Sequence, residues 1–182
     1  MRELFSLPNL ATFGNLAAGF SALVLASQES FVRAAVLVGI AAVFDLLDGV
    51  IARQSEGESE FGANLDSLAD IVSFGVAPAF ALFLASLVEF GSLGVAVAAV
   101  FVLAGTVRLA RFPLVKDRRV FVGLPIPPAG LALAALAALA PPPTVAVATA
   151  LALGVLMVSV IPFPTLRSLF ERSGSRSKER PE

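Results

Sequence analysis

The stretch Asp45–Asp70, DLLDGVIARQSEGESEFGANLDSLAD, carries four aspartates inside or at the ends of long apolar segments. They are Asp45, Asp48, Asp66 and Asp70, spaced by three and by four residues on either side of a polar connection. An ionised side chain at membrane depth is costly and by default marks a functional site. A single aspartate near a helix end is more often a cap or an interfacial contact, but a set of four indicates a bound cation or a reaction.

The composition places the chain in the membrane class and limits its chemistry. Of the 182 residues, 57% are hydrophobic and 15% are charged, whereas soluble domains average about 25% charged residues. The chain has no Cys and no His, which excludes a disulfide framework, a thiolate or imidazole metal site and a histidine base. Acid–base and metal chemistry must therefore come from carboxylates, which prefer hard cations such as Mg²⁺ or Mn²⁺.

Apolar runs predict six membrane-spanning helices, since one span takes roughly 20 apolar residues. The fifth is the weakest, because its three closely spaced prolines predict a non-helical start and a short helix. The first run carries Asn9, Thr12 and Asn15 and leads into further apolar runs, so we expect no secretory signal peptide. The approximate spans are 10–26, 31–52, 62–88, 93–109, a fifth that enters at 123–128 and ends at 141–143, and 144–161.

The basic residues predict the orientation through the positive-inside rule. With both termini in the cytoplasm, all 13 basic residues except Arg33 lie on the cytoplasmic side. We therefore expect an all-α integral bundle in the cell membrane, with its acidic residues facing the cytoplasm. In this interpretation residues 1–172 form one membrane domain, 163–172 can form a short amphipathic surface helix, and 173–182 form a polar, disordered tail.

Helical geometry groups the four aspartates onto two faces that also carry small residues. At about 100° per residue, positions three, four and seven apart share one side of a helix. Small residues on such a face let a ligand approach the backbone closely. The face on the second span comprises Asp45, Asp48, Gly49 and Ala52 with Arg53 at its edge, and the face on the third comprises Gly62, Asp66, Asp70, Ser73 and Ala77.

The connection between these two spans, residues 54–61, has only eight residues. Such a short connection makes the two helices antiparallel neighbours, so the four aspartates can converge. Four carboxylates repel one another in a low dielectric. Divalent cations relieve that repulsion and also bind phosphate oxygens, so we expect a metal and phosphate site near the cytoplasmic surface.

This pattern resembles the complete signature of the CDP-alcohol phosphatidyltransferase family. Eight positions are specified at fixed spacing, and the resemblance extends over nearly the whole chain. It implies six spans, cytoplasmic termini, a cytoplasm-facing site, a homodimer and a role in phospholipid biosynthesis. The matching residues are Asp45-x-x-Asp48-Gly49-x-x-Ala52-Arg53, then eight residues, then Gly62-x-x-x-Asp66-x-x-x-Asp70.

Three later segments resemble the membrane-integral phosphatidylserine synthases of that family. They are SLADIVSFGVAP at 67–78, RLARF at 108–112 and GLPIP at 123–127. Pro113 departs from the pattern, which has a polar Asn after the Arg-Phe pair. The resemblance implies CDP-diacylglycerol and L-serine as substrates. We expect membrane lipids as the other partners and no nucleic acid.

The resemblance also implies a role for each residue of the signature. Asp45, Asp48 and Asp66 would ligate Mg²⁺ or Mn²⁺, with Asp70 bordering the metal and acting as general base toward the serine hydroxyl. CMP would be the leaving group. The cytidine nucleotide would lie against Asp48, Gly49, Ala52, Arg53 and Gly62.

For the serine carboxylate and the lipid phosphate we expect Ser73, Arg108 and Arg111. A guanidinium group binds such anions through two parallel hydrogen bonds. The two arginines can equally anchor the chain to anionic lipid at the cytoplasmic surface.

Two other interpretations stay open at this point. A sibling transferase would use glycerol phosphate or inositol phosphate as acceptor, or an ether-linked lipid as donor, and the connection after the fourth span is basic enough to bind a phosphate. A cation-coupled transporter would use the aspartates as its ion path. Against a transporter, the aspartates cluster at one membrane face and the sequence shows no inverted repeat.

Overall fold

The computed structural model describes residues 6–54, 60–111, 121–159 and 162–163. Two-residue strands, β1 (Phe121–Val122) and β2 (Pro162–Phe163), pair antiparallel. The predicted helical membrane bundle is confirmed, and this short strand pair is an addition to the all-α prediction. The helices within the described ranges are α1 (Leu7–Ser27), α2 (Phe31–Gln54), α3 (Glu60–Phe90), α4 (Ser92–Arg111), α5 (Ile126–Ala138) and α6 (Pro143–Val158).

Helices α1, α2, α3 and α4 are long and apolar enough to cross a membrane. Helices α5 and α6 are apolar but have only 13 and 16 residues, which gives lengths of about 20 and 24 Å. A bilayer core is about 30 Å thick. Of the six predicted spans, four are therefore confirmed by length and composition, and the fifth and sixth stay predictions.

Helix α3 follows the third predicted span in extent but is not a regular α-helix. After Asp70 it continues as a π-helical turn at Ile71–Val76, and a second π-helical turn follows at Phe83–Leu87. Its last turn, Val88–Phe90, is a 3₁₀ helix. The sequence predicted a span at 62–88 and did not predict these π-helical turns. Single π-helical turns within α-helices are frequent at functional sites, and the first one here begins directly after an aspartate of the signature.

Helix α2 reaches Gln54 and α3 begins at Glu60, so the two helices extend further than predicted and only residues 55–59 separate them. Those five residues lie outside the described part of the chain. The termini, the tail 173–182 and the expected surface helix also lie outside it, except that Phe163 belongs to β2. Membrane orientation therefore stays a prediction.

The proline-rich segment before α5 has the predicted form. Residues 123–125 are not helical, and Pro125 precedes the helix with extended backbone dihedrals. Pro127 and Pro128 fall in the first turn of α5, where a missing backbone N–H removes no helical hydrogen bond. The 13-residue helix that results is short, as expected.

Glycines bring the neighbouring helices into close contact around the first π-helical turn. A Cβ atom added to Gly19 of α1 would lie 2.7 Å from Cα of Ser73, and one added to Gly130 of α5 would lie 2.6 Å from Cα of Phe74. Real Cβ atoms do not approach that closely, so both contacts require glycine. The turn that follows Asp70 is therefore packed between α1 and α5.

Candidate active site

Three of the four aspartates of the signature converge at one point. Asp45 and Asp48 come from α2 and Asp66 comes from α3, and each offers a carboxylate oxygen within 4.8 Å of the other two. Asp48 is 7% exposed, whereas Asp45 and Asp66 are partly exposed. The helical spacing and the short connection predicted this convergence. Because all the donors are hard oxygen atoms, the group fits a divalent cation such as Mg²⁺ or Mn²⁺.

Asp70 lies beside this group and is 6% exposed. Its carboxylate interacts electrostatically with those of Asp45, Asp48 and Asp66. Four ionised carboxylates this close repel one another, and burial increases the repulsion. The arrangement therefore favours a cation among the aspartates.

Helix α1 donates hydrogen bonds to the aspartates of both α2 and α3. The hydroxyl Oγ1 of Thr12 lies 3.2 Å from Oδ2 of Asp48 and 3.2 Å from the carbonyl oxygen of Pro8, so its one proton is shared between two acceptors. Nδ2 of Asn15 donates to Oδ1 of Asp70 at 3.2 Å. Thr12 and Asn15 are 3% and 0% exposed. They hold the carboxylates of two different helices from one side.

These α1 side chains were not among the predicted site residues. In the sequence, Asn9, Thr12 and Asn15 argue against a signal peptide, and the segment 8–12 also resembles the opening of the family's first span. Their spacing of three residues is the signal that could have placed them, because it gathers polar side chains on one helical face. All three are buried in the structure.

The predicted nucleotide residues lie along the same two helices. Gly49 follows Asp48 on α2 and Gly62 precedes Asp66 by one turn on α3, and both glycines are partly exposed. Ala52 and Arg53 belong to the last turn of α2. The roles expected of these two side chains stay predictions.

The residues expected to bind serine or lipid phosphate occupy different places. Arg108 is half-buried and interacts electrostatically with Asp70. Arg111 is exposed, and its NH1 atom donates to the carbonyl oxygen of Val158 at 3.3 Å. Ser73 is fully buried, and its hydroxyl donates to the carbonyl oxygen of Asn15 at 3.0 Å. The structure therefore brings Arg108 and Ser73 to Asp70 but places Arg111 at the end of α6.

A sequence model of the family described as CDP-alcohol phosphatidyltransferase matches residues 5–161. The chain belongs to this family. The matched region contains α1 to α6 and all four aspartates, so the acidic cluster described above lies inside the family's own domain.

Curated members of the family are similar to this chain over most of its length. A CDP-diacylglycerol–serine O-phosphatidyltransferase of Methanocaldococcus jannaschii is 36% identical over 90% of this chain and 76% of its own. One of Bacillus subtilis is 33% identical over 87% of this chain and 89% of its own. An archaetidylserine synthase of Methanothermobacter thermautotrophicus is 36% identical over 89% of this chain and 71% of its own.

The fold is shared with a solved structure. The crystal structure of Mycobacterium tuberculosis phosphatidylinositol phosphate synthase with CDP-DAG bound superposes with a TM-score of 0.62. The two chains are 23% identical, and the match covers 86% of this chain and 83% of that one. At that identity the likeness concerns the helical fold alone.

Proposed function

We propose that this phosphatidyltransferase moves the phosphatidyl group of CDP-diacylglycerol to the hydroxyl of L-serine and releases CMP, in phospholipid biosynthesis. The observation that carries the proposal is the convergence of Asp45, Asp48 and Asp66, with Asp70 beside them, at the junction of α2 and α3. Serine as acceptor is supported by relatives of 33–36% identity that carry that activity in their names. The family match over 5–161 includes the whole cluster, so a transporter function has no remaining support.

Asp45, Asp48 and Asp66 are the residues that would hold Mg²⁺ or Mn²⁺. A cation bound there would supply positive charge that stabilises the diphosphate and the leaving CMP. Gly49 and Gly62 have no side chain to keep a nucleotide away from the backbone. Together with Asp48, Ala52 and Arg53 they are the residues we assign to the cytidine nucleotide.

Asp70 is the group we assign to remove the proton from the serine hydroxyl. The serine oxygen forms a bond to the β-phosphorus of CDP-diacylglycerol, and the bond from that phosphorus to the bridging oxygen breaks. CMP leaves with the electron pair, and the proton goes to the Asp70 carboxylate. Because the chain has no His, a carboxylate is the base that its composition offers near neutral pH.

Arg108 is the residue best placed to bind the serine carboxylate or the lipid phosphate. It is half-buried and close enough to Asp70 for their charges to interact, and a guanidinium can donate two parallel hydrogen bonds to either anion. Ser73 lies three residues beyond Asp70 on α3 and belongs to the same proposal, with its buried hydroxyl bonded to the carbonyl oxygen of Asn15. We assign Arg111 to the same anions. Because Arg111 donates a hydrogen bond to the Val158 carbonyl, its role is tested separately from that of Arg108.

We further propose that residues 1–172 form one domain with six spans, cytoplasmic termini and a site open to the cytoplasm of the cell membrane. The long apolar helices α1 to α4 support this topology, as does the sequence bias of basic residues toward one side. A homodimer is expected from the family resemblance.

One assay tests both the reaction and its acceptor. Purified protein in detergent, with a CDP-linked lipid and Mg²⁺ or Mn²⁺, should release CMP and form a serine lipid from labelled serine. Glycerol phosphate and inositol phosphate run in parallel as acceptors, and diacyl and ether-linked CDP-lipids run as donors. A product from one of the phosphorylated acceptors instead of serine would reassign the acceptor. No CMP release with any acceptor would contradict the proposed enzyme.

A further inference from the structure

Asn15 contacts the proposed general base from a helix that lies outside the acidic signature. Its Nδ2 atom donates to Oδ1 of Asp70 at 3.2 Å, and its own carbonyl oxygen accepts the Ser73 hydroxyl at 3.0 Å. Its side chain is 0% exposed. One residue of α1 is therefore bonded to both ends of the turn Asp70–Ser73.

The orientation of the Asn15 amide follows from its chemistry. The NH₂ group can only donate and Oδ1 can only accept, so turning the amide over would set two acceptors against each other at Asp70. In the observed orientation Oδ1 is buried and has no hydrogen-bond partner within the described part of the chain. A buried acceptor without a partner destabilises a protein, and an apolar residue of similar size would avoid that cost. Packing alone therefore does not account for an asparagine at this position.

The backbone contact next to Asn15 holds the amide in place. Gly19, one turn along α1, lets the helix approach α3 closely. A Cβ atom added to Gly19 would lie 2.7 Å from the Cα atom of Ser73. Thr12, one turn in the other direction, makes the corresponding contact to Asp48 at 3.2 Å. Helix α1 is thus packed closely against α2 and α3 on either side of Asn15, which limits movement of the Asn15 amide relative to Asp70.

We propose that Asn15 is a positioning residue for phosphatidyl transfer. Its amide holds Oδ1 of Asp70 and leaves Oδ2 to accept the proton of the attacking hydroxyl. The inference rests on the proposed function, in which Asp70 is the base. The last torsion of an aspartate is broad, so loss of the amide lets the Asp70 carboxylate leave its productive orientation more often, without removing a contact to substrate.

The variant Asn15→Leu keeps the side-chain size and removes the donor. We expect kcat to fall by about 10- to 100-fold, because a misplaced base is as costly as a misplaced substrate. The KM values for serine and CDP-diacylglycerol should stay within about threefold of the wild type, since the substitution removes no contact to either substrate. CMP with Mg²⁺ should still raise the Tm of the variant.

Ser21→Ala is the matched control on the same helix. The Ser21 hydroxyl is exposed and bonds to the carbonyl oxygen of Ala17, so its removal should leave kcat unchanged. Asn15→Asp is the second test variant, because an ionised aspartate keeps the shape of asparagine but cannot donate to Asp70. It should lose kcat as the Leu variant does.

Several outcomes would overturn the inference. Wild-type kcat in Asn15→Leu would do so, and so would a loss of kcat accompanied by loss of the CMP-induced rise in Tm, which marks a structural role. If Asn15→Leu does not fold, Asn15→Asp is judged by the same criteria, and failure of both to fold also makes Asn15 structural. Absence of a serine lipid from the wild type is a separate result, which contradicts the proposed function itself.

Discussion

Two regions of the described chain join different helices through polar contacts, one among buried side chains and one around the exposed Arg111. The inner region joins α1 to the aspartates of α2 and α3 through the buried side chains of Thr12 and Asn15. The outer region joins the start of α5 and the end of α4 to the end of α6, where the exposed Arg111 donates to the Val158 carbonyl. A hydrogen bond in a low dielectric constrains geometry more than one that competes with water.

The outer region is built mainly from backbone. The N–H of Leu124 donates to the carbonyl of Leu156 at 3.0 Å. Gly123 has φ +83°, and an added Cβ atom would contact the carbonyl oxygen of Met157, so a side chain is excluded by both conformation and space. The inner region therefore joins helices through buried side chains beside the acidic cluster, whereas the outer one holds helix ends together mainly through backbone.

Removal of divalent metal tests the inner region most severely. With Asp45, Asp48 and Asp66 within 4.8 Å of one another, chelation leaves their charges uncompensated and the diphosphate without its partner. We expect EDTA to reduce CMP release to background, and Mg²⁺ or Mn²⁺ in excess to restore it. Full activity in chelator would show that the cluster works without metal.

Asp70→Asn should have the next largest effect. The amide keeps the shape of the carboxylate but cannot accept the serine proton, so turnover should fall by about 10²- to 10⁴-fold. Nucleotide binding should be largely retained, which the Tm shift with CMP measures. A variant with wild-type turnover would remove Asp70 from the role of base.

Gly19→Ala tests the close contact that brings α1 to the inner region. Its Cβ atom would collide with Ser73, and overpacking of this kind destabilises by about 1–3 kcal/mol. We expect a lower Tm together with reduced turnover. Gly39→Ala is the control, because an atom added at Gly39 of α2 meets nothing within 4 Å, and its Tm should be equal or higher. Equal loss in both variants would show that the α1–α3 contact has no special weight.

Arg108→Ala and Arg111→Ala compare the two regions directly. Arg108 interacts with Asp70, so its loss should raise the KM for serine by about 10- to 100-fold, the range expected for hydrogen bonds to a charged group. Arg111→Ala should change that KM by less than about twofold, since exposed charges contribute little. An unchanged serine KM in the Arg111 variant removes that residue from the serine site, and the reverse ranking would break the distinction between inner and outer regions.

Much of the acidic site could be predicted because it depends on local helical geometry. The intervals from Asp45 to Asp48 and from Asp66 to Asp70 place each pair on one helical face whatever the rest of the bundle does. The short connection then forces the two faces together. The start of α5 could be predicted in the same way, because Pro127 and Pro128 restrict the backbone locally.

Other features depend on contacts between distant residues and could not be read from local pattern. The π-helical turn at Ile71–Val76 contains no proline and is packed between Gly19 of α1 and Gly130 of α5. Arg108 and Arg111 have different partners because α6 ends beside Arg111, and the carbonyl oxygen of its last residue, Val158, accepts a hydrogen bond from Arg111. Spacing on α4 alone places the two arginines near one another and does not distinguish their partners.

The buried polar face of α1 has a consequence for how the chain enters the membrane. Asn9, Thr12 and Asn15 are covered by protein in the finished bundle, but α1 leaves the ribosome before its neighbours do. The Thr12 hydroxyl has one acceptor within α1 itself, the Pro8 carbonyl, and another 36 residues further along the chain, whereas the acceptor of the Asn15 amide lies 55 residues further along. Polar side chains without partners are costly in lipid. Thr12 can therefore be bonded before α2 inserts, but the Asn15 amide meets its acceptor only when α3 has inserted, so α1 reaches its final environment after α3 has arrived.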